Sequence, residues 1–533
     1  MNYLKKFIFY TMLLTLLHPS QLVGSCNSCS SAPTLLNPTE FEVEGVSFFS
    51  PRSQSTNAAR DLVGWHPFIN QPYNEPYGAV SITPSFGQIL RARRAAQVMF
   101  GTDYLEISGS QVANRDPNDI LADYFGLSTV FESEVQLSPF IRTGLIDFGG
   151  YFSWKNFYFI VHAPLVYTRW QLGVNEIVLE DGVGSPFPAD YMDATPVTEP
   201  VQSWGQAVQG NVTFGQVSQG MKYGKFGCPQ SLVGLSDLEM AIGWNLANNN
   251  YGHAGFNIRV YAPTGNRPTS EFLFEPMVGN GKHWELGIGF SGHALLWEKD
   301  GTQEFSFFSD INIMHSFAAS QRRSFDLIMN GFGSRYILLK QFDTDENYTG
   351  VCLPAINVTT LDCKVSIDAE FDIVFMFGYT YNEFVMDIGY NGWIRTREII
   401  SLDGCIPENT YGFKGIENVT DMFGNLINTT ESNATLHGDY LTNQIADADV
   451  NSPIFINTCD LDLFSAASPL VITHKLFGHL GYSWPECWPV ELTPYLGLGG
   501  EIEFEGINER KTVEDYKDTL SQWSIWLKGG FAY

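Results

Sequence analysis

The last fourteen residues, 520–533, divide by parity. Trp523, Ile525, Leu527, Gly529, Phe531 and Tyr533 fall on one face, and Gln522, Ser524, Trp526, Lys528, Gly530 and Ala532 on the other. A period of two marks a strand with one apolar side. The split recurs where Leu492, Pro494, Leu496, Leu498, Ile502 and Phe504 oppose Thr493, Tyr495, Gly497, Gly499, Glu501 and Glu503. It recurs again where Trp284, Leu286, Ile288, Phe290, Ala294 and Leu296 oppose His283, Glu285, Gly287, Gly289, Ser291 and His293. Extended along the chain, the pattern predicts strands near 77–90, 142–154, 157–170, 238–246, 254–262, 284–296, 304–317, 371–381, 384–396, 474–484, 492–504 and 523–533. Strands of about nine to fourteen residues exceed the usual five or six of soluble sheets and match what a tilted strand needs to cross a bilayer.

The connections sort by length. Short ones fall at Lys155-Asn156, 247–253, 297–303, Asn382-Glu383 and 485–491, and long ones at 91–141, 171–237, 263–283, 318–370, 397–473 and 505–522. Membrane barrels keep periplasmic turns short and extracellular loops long, and place aromatic girdles at both interfaces. Tyr379 and Tyr381 edge one strand; Trp523, Phe531 and Tyr533 edge another. The expected fold is therefore all-β: a transmembrane antiparallel up-and-down barrel over 77–533, of about 12 strands (12–16), with both termini on the periplasmic side. Segment 324–342 holds the residues for one or two further strands. On this assignment Arg at Leu286 or Ile288 faces lipid and harms assembly, whereas Ser at Gly287 is mild.

Before residue 77 the pattern changes. Lys5 and Lys6 precede an apolar run, Phe7 to Leu17, that is too short to span a bilayer and has the form of a signal-peptide core. Residues 1–25 read as a cleaved signal. Leu22-Val23-Gly24-Ser25-Cys26 also has the form of a lipobox, which leaves lipidation of Cys26 open. Residues 26–76, rich in Ser, Asn and Pro, read as a periplasmic arm or a plug. Later in the chain no apolar run approaches the ~20 residues of a membrane helix.

The terminal strand with Trp523, Phe531 and Tyr533 resembles the C-terminal assembly signature of Gram-negative outer-membrane barrels, although the family usually ends in Phe. That resemblance implies insertion by the barrel-assembly machinery into outer-membrane lipid. A second stretch, Gly234-Leu-Ser-Asp-Leu-Glu-Met with Ala262-Pro-Thr-Gly and Gly279-Asn-Gly-Lys-His-Trp-Glu, resembles outer-membrane channels that import small organic molecules, including the phenol-degradation transporter group. It covers residues 234–297, and tight turns alone account for any single one of its glycines.

Charge and chemistry refine this picture. A formal net charge of −28 disfavours nucleic acid, which draws on clustered Lys and Arg. No Gly-x-Ser-x-Gly, His-Glu-x-x-His or Walker loop is present, so neither catalysis, a metal nor a cofactor is expected. An outer-membrane hydrolase is the weaker rival, because its His-x-Ser spacing occurs only at His18-Pro-Ser20. The eight cysteines of an exported chain favour disulfides, with Cys352 and Cys363 sharing one long loop and Cys405 and Cys459 another. The expected function is a porin-like channel for small solutes. Its lumen and mouths are expected to carry Asp147, Arg259, His283, Glu285, Asp310, Asp387, Asn391, Arg395, Arg397, Glu501, Glu503 and Lys528. The alternative is a surface-structural or adhesin barrel with a closed lumen. In that case the same charges would be a brace.

Overall fold

The computed structural model describes residues 45–189, 191–192, 199–415, 434–439, 455–485, 492–505 and 521–533. The signal segment, Cys26 and Cys487 lie outside the described residues. Twelve strands form a meander. They are β1 (Tyr77–Ile89), β2 (Phe140–Trp154), β3 (Phe157–Gln171), β4 (Leu238–Asn249), β5 (Gly252–Ala262) and β6 (Glu285–Lys299). The second half is β7 (Gln303–Ser324), β8 (Thr360–Tyr381), β9 (Phe384–Arg395), β10 (Val471–Ser483), β11 (Thr493–Glu505) and β12 (Gln522–Ala532). Each pairs antiparallel with the next, and β12 returns to β1, with Ala79 opposite Ala532 and Ile89 opposite Gln522. The barrel is closed, so no wall strand is left as a free edge. Every predicted strand is present.

Parity along each strand sets the faces. On β6, Leu286 is 45 % and Ile288 41 % exposed, while Glu285 between Trp284 and Leu286 is 4 % exposed. Outward positions elsewhere are Val80, Ile82, Phe148, Leu480, Leu498, Ile525 and Leu527. These make an apolar belt of the kind a membrane-spanning barrel presents to lipid. Trp154, Trp244, Trp297, Tyr381, Tyr482 and Tyr533 rim its short-turn end, and Trp284 and Phe317 mark the other. At Leu295/Trp297 a bulge adds one residue, so Leu296 and Trp297 are both exposed. Gly287 departs from the sequence reading. A Cβ there would lie 2.0 Å from the Ile313 carbonyl oxygen, so Ser is not mild at this position.

Turns of two or three residues join β2 to β3, β4 to β5, β6 to β7 and β8 to β9 at one end. Lys155, Asp300 and Asn382 take positive φ there, as tight hairpins require. At the other end the long connections fold into a layer of their own. Its buried core draws together Phe125, Trp204, Phe226, Leu339 and Ile356 from three separate loops. The extra strands of segment 324–342 belong to this layer. Asp326–Leu327 pairs with Leu461–Asp462, and Leu338–Phe342 with Tyr348–Pro354 and Tyr411–Phe413.

The cysteine expectation is corrected in part. Cys363 has a free thiol on β8, opposite Gln321 and Leu402, while Cys352 lies opposite Lys340 with its sulfur 3.1 Å from the Tyr348 hydroxyl. Different sheets hold the two, and the Cys352–Cys363 bond is not formed. Cys405 and Cys459 are disulfide-bonded, and Ile406 N–H donates to Thr458 Oγ1 at 2.9 Å between their neighbours.

Candidate functional site

Residues 45–76 run through the barrel from end to end. Val46, Phe48 and Phe49 are buried in the core of the loop layer, with Val46 N–H donating to Val98 O and Ser47 N–H to Ser465 O. The chain then descends. Ser50 receives Arg395 at the loop end of β9, and Arg52 pairs with Asp372 on β8 at 2.8 Å and with Glu503 on β11 at 3.5 Å. Asn57 caps a five-residue helix, α1 (Ala58–Leu62), by accepting from Arg60 N–H, and its amide donates to Glu501. Lower still, the Gly64 N–H and the His66 ring both bind the Asp387 carboxylate, which His479 also meets at 3.2 Å. Trp65 donates to Tyr495 Oη, and Asn70 joins Tyr151 and Asn245 near the short turns.

A second set of contacts explains the motif residues of 234–297. The loop-end half of β3 (Leu165–Trp170) pairs with the short strand Gln230–Leu235, and its lower half with β4. The break falls at Ser236-Asp237, opposite Pro164, which has no N–H to donate to a ladder. There Asp237 accepts from Ser53 Oγ at 2.9 Å, and Ser55 Oγ reaches both Ser236 Oγ and the Asp237 carbonyl. Gln54 completes the clasp: it donates to Met277 O and accepts from Gly279 N–H at 2.9 Å. Gly279 has φ +82°, and a Cβ on it would meet Asp237 Oδ1 at 2.7 Å. Thr264 Oγ1 donates to Ser236 O, and Asn280 donates to Glu285 and to the His283 carbonyl. The three pieces of that one motif thus meet around Ser53-Gln54-Ser55.

Most of the sequence-predicted lumen residues face inward and are buried: Asp147, Arg259, His283, Glu285, Asp387, Asn391, Arg395, Glu503 and Lys528. Glu501 and Asp310 are half-buried on the same side. Arg397 is the exception, because β9 ends at Arg395 and its guanidinium stacks over Phe464 in the loop layer, 5.4 Å from the ring centre. These residues form connected pairs. Arg259 meets Glu239 at 2.6 Å, and Lys475 meets Glu501 at 3.1 Å. Asp147 accepts from His162 at 3.0 Å, and Lys528 Nζ donates to the carbonyls of Arg60 and Asp61. Asp61, Asp147 and His162 bring ligand-type atoms within 4.8 Å of one another, but His162 is already bonded to Asp147 at 3.0 Å, and Arg60 stands 3.9 Å from each carboxylate. Sequence reasoning missed the residues on the threaded segment, Arg52, Asn57, Arg60, Trp65 and His66, along with their wall partners Asp372, Lys475 and His479. Parity places those wall partners inward, but only the segment gives them a role.

The segment does not fill the bore. Between residues 51–60 and the wall of β1–β3 and β10–β12 is a cavity of about 90 Å³, reached by Arg52, Arg60, Lys475 and Glu501 and backed by Ile141, Leu145 and Trp170.

No protein-family model and no curated protein matches the chain. Among solved structures, an outer membrane channel from Pseudomonas putida F1 is similar at 8 % identity and a TM-score of 0.35, covering 87 % of this chain and 98 % of that one. A Pseudomonas aeruginosa FadL homologue covers 87 % and 93 % at 7 % identity and TM-score 0.26, and the CymD monoaromatic hydrocarbon channel 92 % and 98 % at 10 % and 0.24. Such scores carry no argument, and the barrel rests on its own strand register.

Proposed function

We propose that this chain is a bacterial outer-membrane channel for small solutes whose lumen is regulated by its own residues 45–76. The observation that carries this reading is the incomplete filling of a closed, polar-lined bore. A membrane barrel holds water only where its inward side chains leave a path, and the cavity beside Arg60 is the beginning of one. Opposed charges along such a path orient a polar solute and set ion selectivity. Residues 45–76 serve as the plug, and Ser53-Gln54-Ser55 with Asp237 and Gly279 as its latch. The barrel-assembly machinery inserts the chain through its terminal strand, with the loop layer outside the cell.

One group of contacts favours the second reading, a surface-structural barrel that never opens. Arg52, His66 and Lys475 are each tied to buried carboxylates, and removing one partner of such a pair costs about 3–5 kcal/mol. Planar-bilayer recording separates the two. The channel reading expects small steps from the intact protein and larger ones from Asp237→Ala, which releases the latch. Silence in both, from protein that runs as a folded barrel on unheated gels, would leave only the structural role.

A further inference from the structure

We infer that the cavity beside the threaded segment is a binding site for a short-chain organic carboxylate, an inference that rests on the channel reading only for its physiological use. Three cationic side chains, Arg52, Arg60 and Lys475, reach the cavity, against a single carboxylate, Glu501. Their charges are not equally met. Lys475 is engaged by Glu501 at 3.1 Å and Arg52 by Asp372 at 2.8 Å, whereas the nearest carboxylates to Arg60, Asp61 and Asp147, stand at 3.9 Å. Arg60 makes one side-chain hydrogen bond, from Nη2 to the Gln54 carbonyl, and its side chain is 5 % exposed. Among the described residues, the buried Nε atoms of Arg60 and Arg52 have no hydrogen-bond partner.

A buried donor left without an acceptor costs about 1–3 kcal/mol, and more when it carries charge. Such donors select an acceptor, preferably an anionic one, which guanidinium binds through short charge-assisted bonds. The opposite wall narrows the chemistry. Ile141, Leu145 and Trp170 give part of that side an apolar surface beside the polar Gln88, Thr143 and Ser524, which rewards a ligand with one charged end and a short hydrocarbon tail. A volume of about 90 Å³ holds several waters or one small carboxylate, not a fatty acid. Because Arg60 sits on the segment and Leu145 on the wall, the ligand bridges plug and barrel.

The test uses the full-length protein in detergent, titrated calorimetrically with sodium butyrate and with butanol as its neutral counterpart. Saturable butyrate binding is expected, at least tenfold tighter than butanol. Arg60→Gln should weaken butyrate at least tenfold and leave butanol unchanged. Leu145→Phe, which keeps every charge but fills the cavity, should abolish both. Migration on unheated gels confirms that each variant is a folded barrel. Absence of saturable butyrate heat in the unaltered protein, or equal affinity for butanol, overturns the proposal. Butyrate binding without bilayer conductance would sink the channel reading and leave the site standing; conductance without binding does the reverse.

Discussion

Asp123 shows what burial does to one residue in the loop layer. It is fully buried and accepts from Ser110 N–H and Oγ at 2.9 and 2.7 Å. Desolvation still outweighs those bonds and pushes its pKa up to about 6. The folded state therefore holds this proton more tightly than the unfolded chain, whose Asp titrates near ~3.9. The group's contribution is full below that value and is lost as pH rises through about 6, a swing of about 3 kcal/mol. Hydrogen-exchange protection around Ser110 should accordingly fall between pH 4 and pH 7, and Asp123→Asn should flatten that dependence. An unchanged profile in the variant would assign the pH response elsewhere. Single residues were the level least legible in the sequence. Gly287 looked tolerant because parity turns it away from lipid, and only the Ile313 carbonyl 2.0 Å from its missing Cβ reveals otherwise. Arg397 looked like a residue of the lumen mouth because it shares the parity of Asp387, Asn391 and Arg395, but β9 ends at Arg395 and the parity does not carry into the loop.

Strands were legible because one physical constraint repeats along each of them: lipid on one side, a polar bore on the other. Where that constraint lapses, the reading stopped. β7 and β8 continue to Ser324 and back from Thr360, well past the predicted limits of 317 and 371. Their pairing shifts register between Met314, Ser316 and Ala319, so alternation fails at the point where the strands leave the belt. Ile288→Arg on β6 should reduce assembled barrel sharply, since a guanidinium facing lipid at mid-depth costs about 2–4 kcal/mol. Gly287→Ser should now be comparably harmful through backbone collision, not lipid contact. Heat-modifiable gel bands in membrane fractions measure both, and a fully assembled Gly287→Ser protein would show that β6 and β7 can spread to admit a side chain. The cysteines were half legible. Shared loops suggested two pairs, but proximity in sequence says nothing about which sheet each cysteine joins, and Cys352 and Cys363 joined different ones.

For the whole molecule, topology followed from connection lengths, whereas the course of residues 45–76 did not. A stretch rich in Ser, Asn and Pro has no periodicity to betray that it is anchored at both ends of a bore. Two substitutions can fix it there. Asn57→Cys with Glu501→Cys replaces a pair in direct hydrogen-bond contact, and oxidation should lock the segment to β11 and suppress conductance until reductant is added. Conductance that ignores the redox state would place the solute path away from this contact. Sidedness has its own check: a cysteine at Asn382, in a short turn, should resist impermeant reagents on intact cells.

The route of residues 45–76 also dictates an order of events during assembly. Val46 and Phe49 are embedded above the bore and Tyr77 begins the wall below it, so the polypeptide is a strand passed through a ring made of itself. Once Ala79 and Ala532 have joined, a free end would have to be fed, apolar side chains first, through a passage already lined with buried ion pairs. Laying the segment against an open sheet avoids that journey. The geometry therefore favours a barrel that closes around a segment already in place over one threaded afterwards.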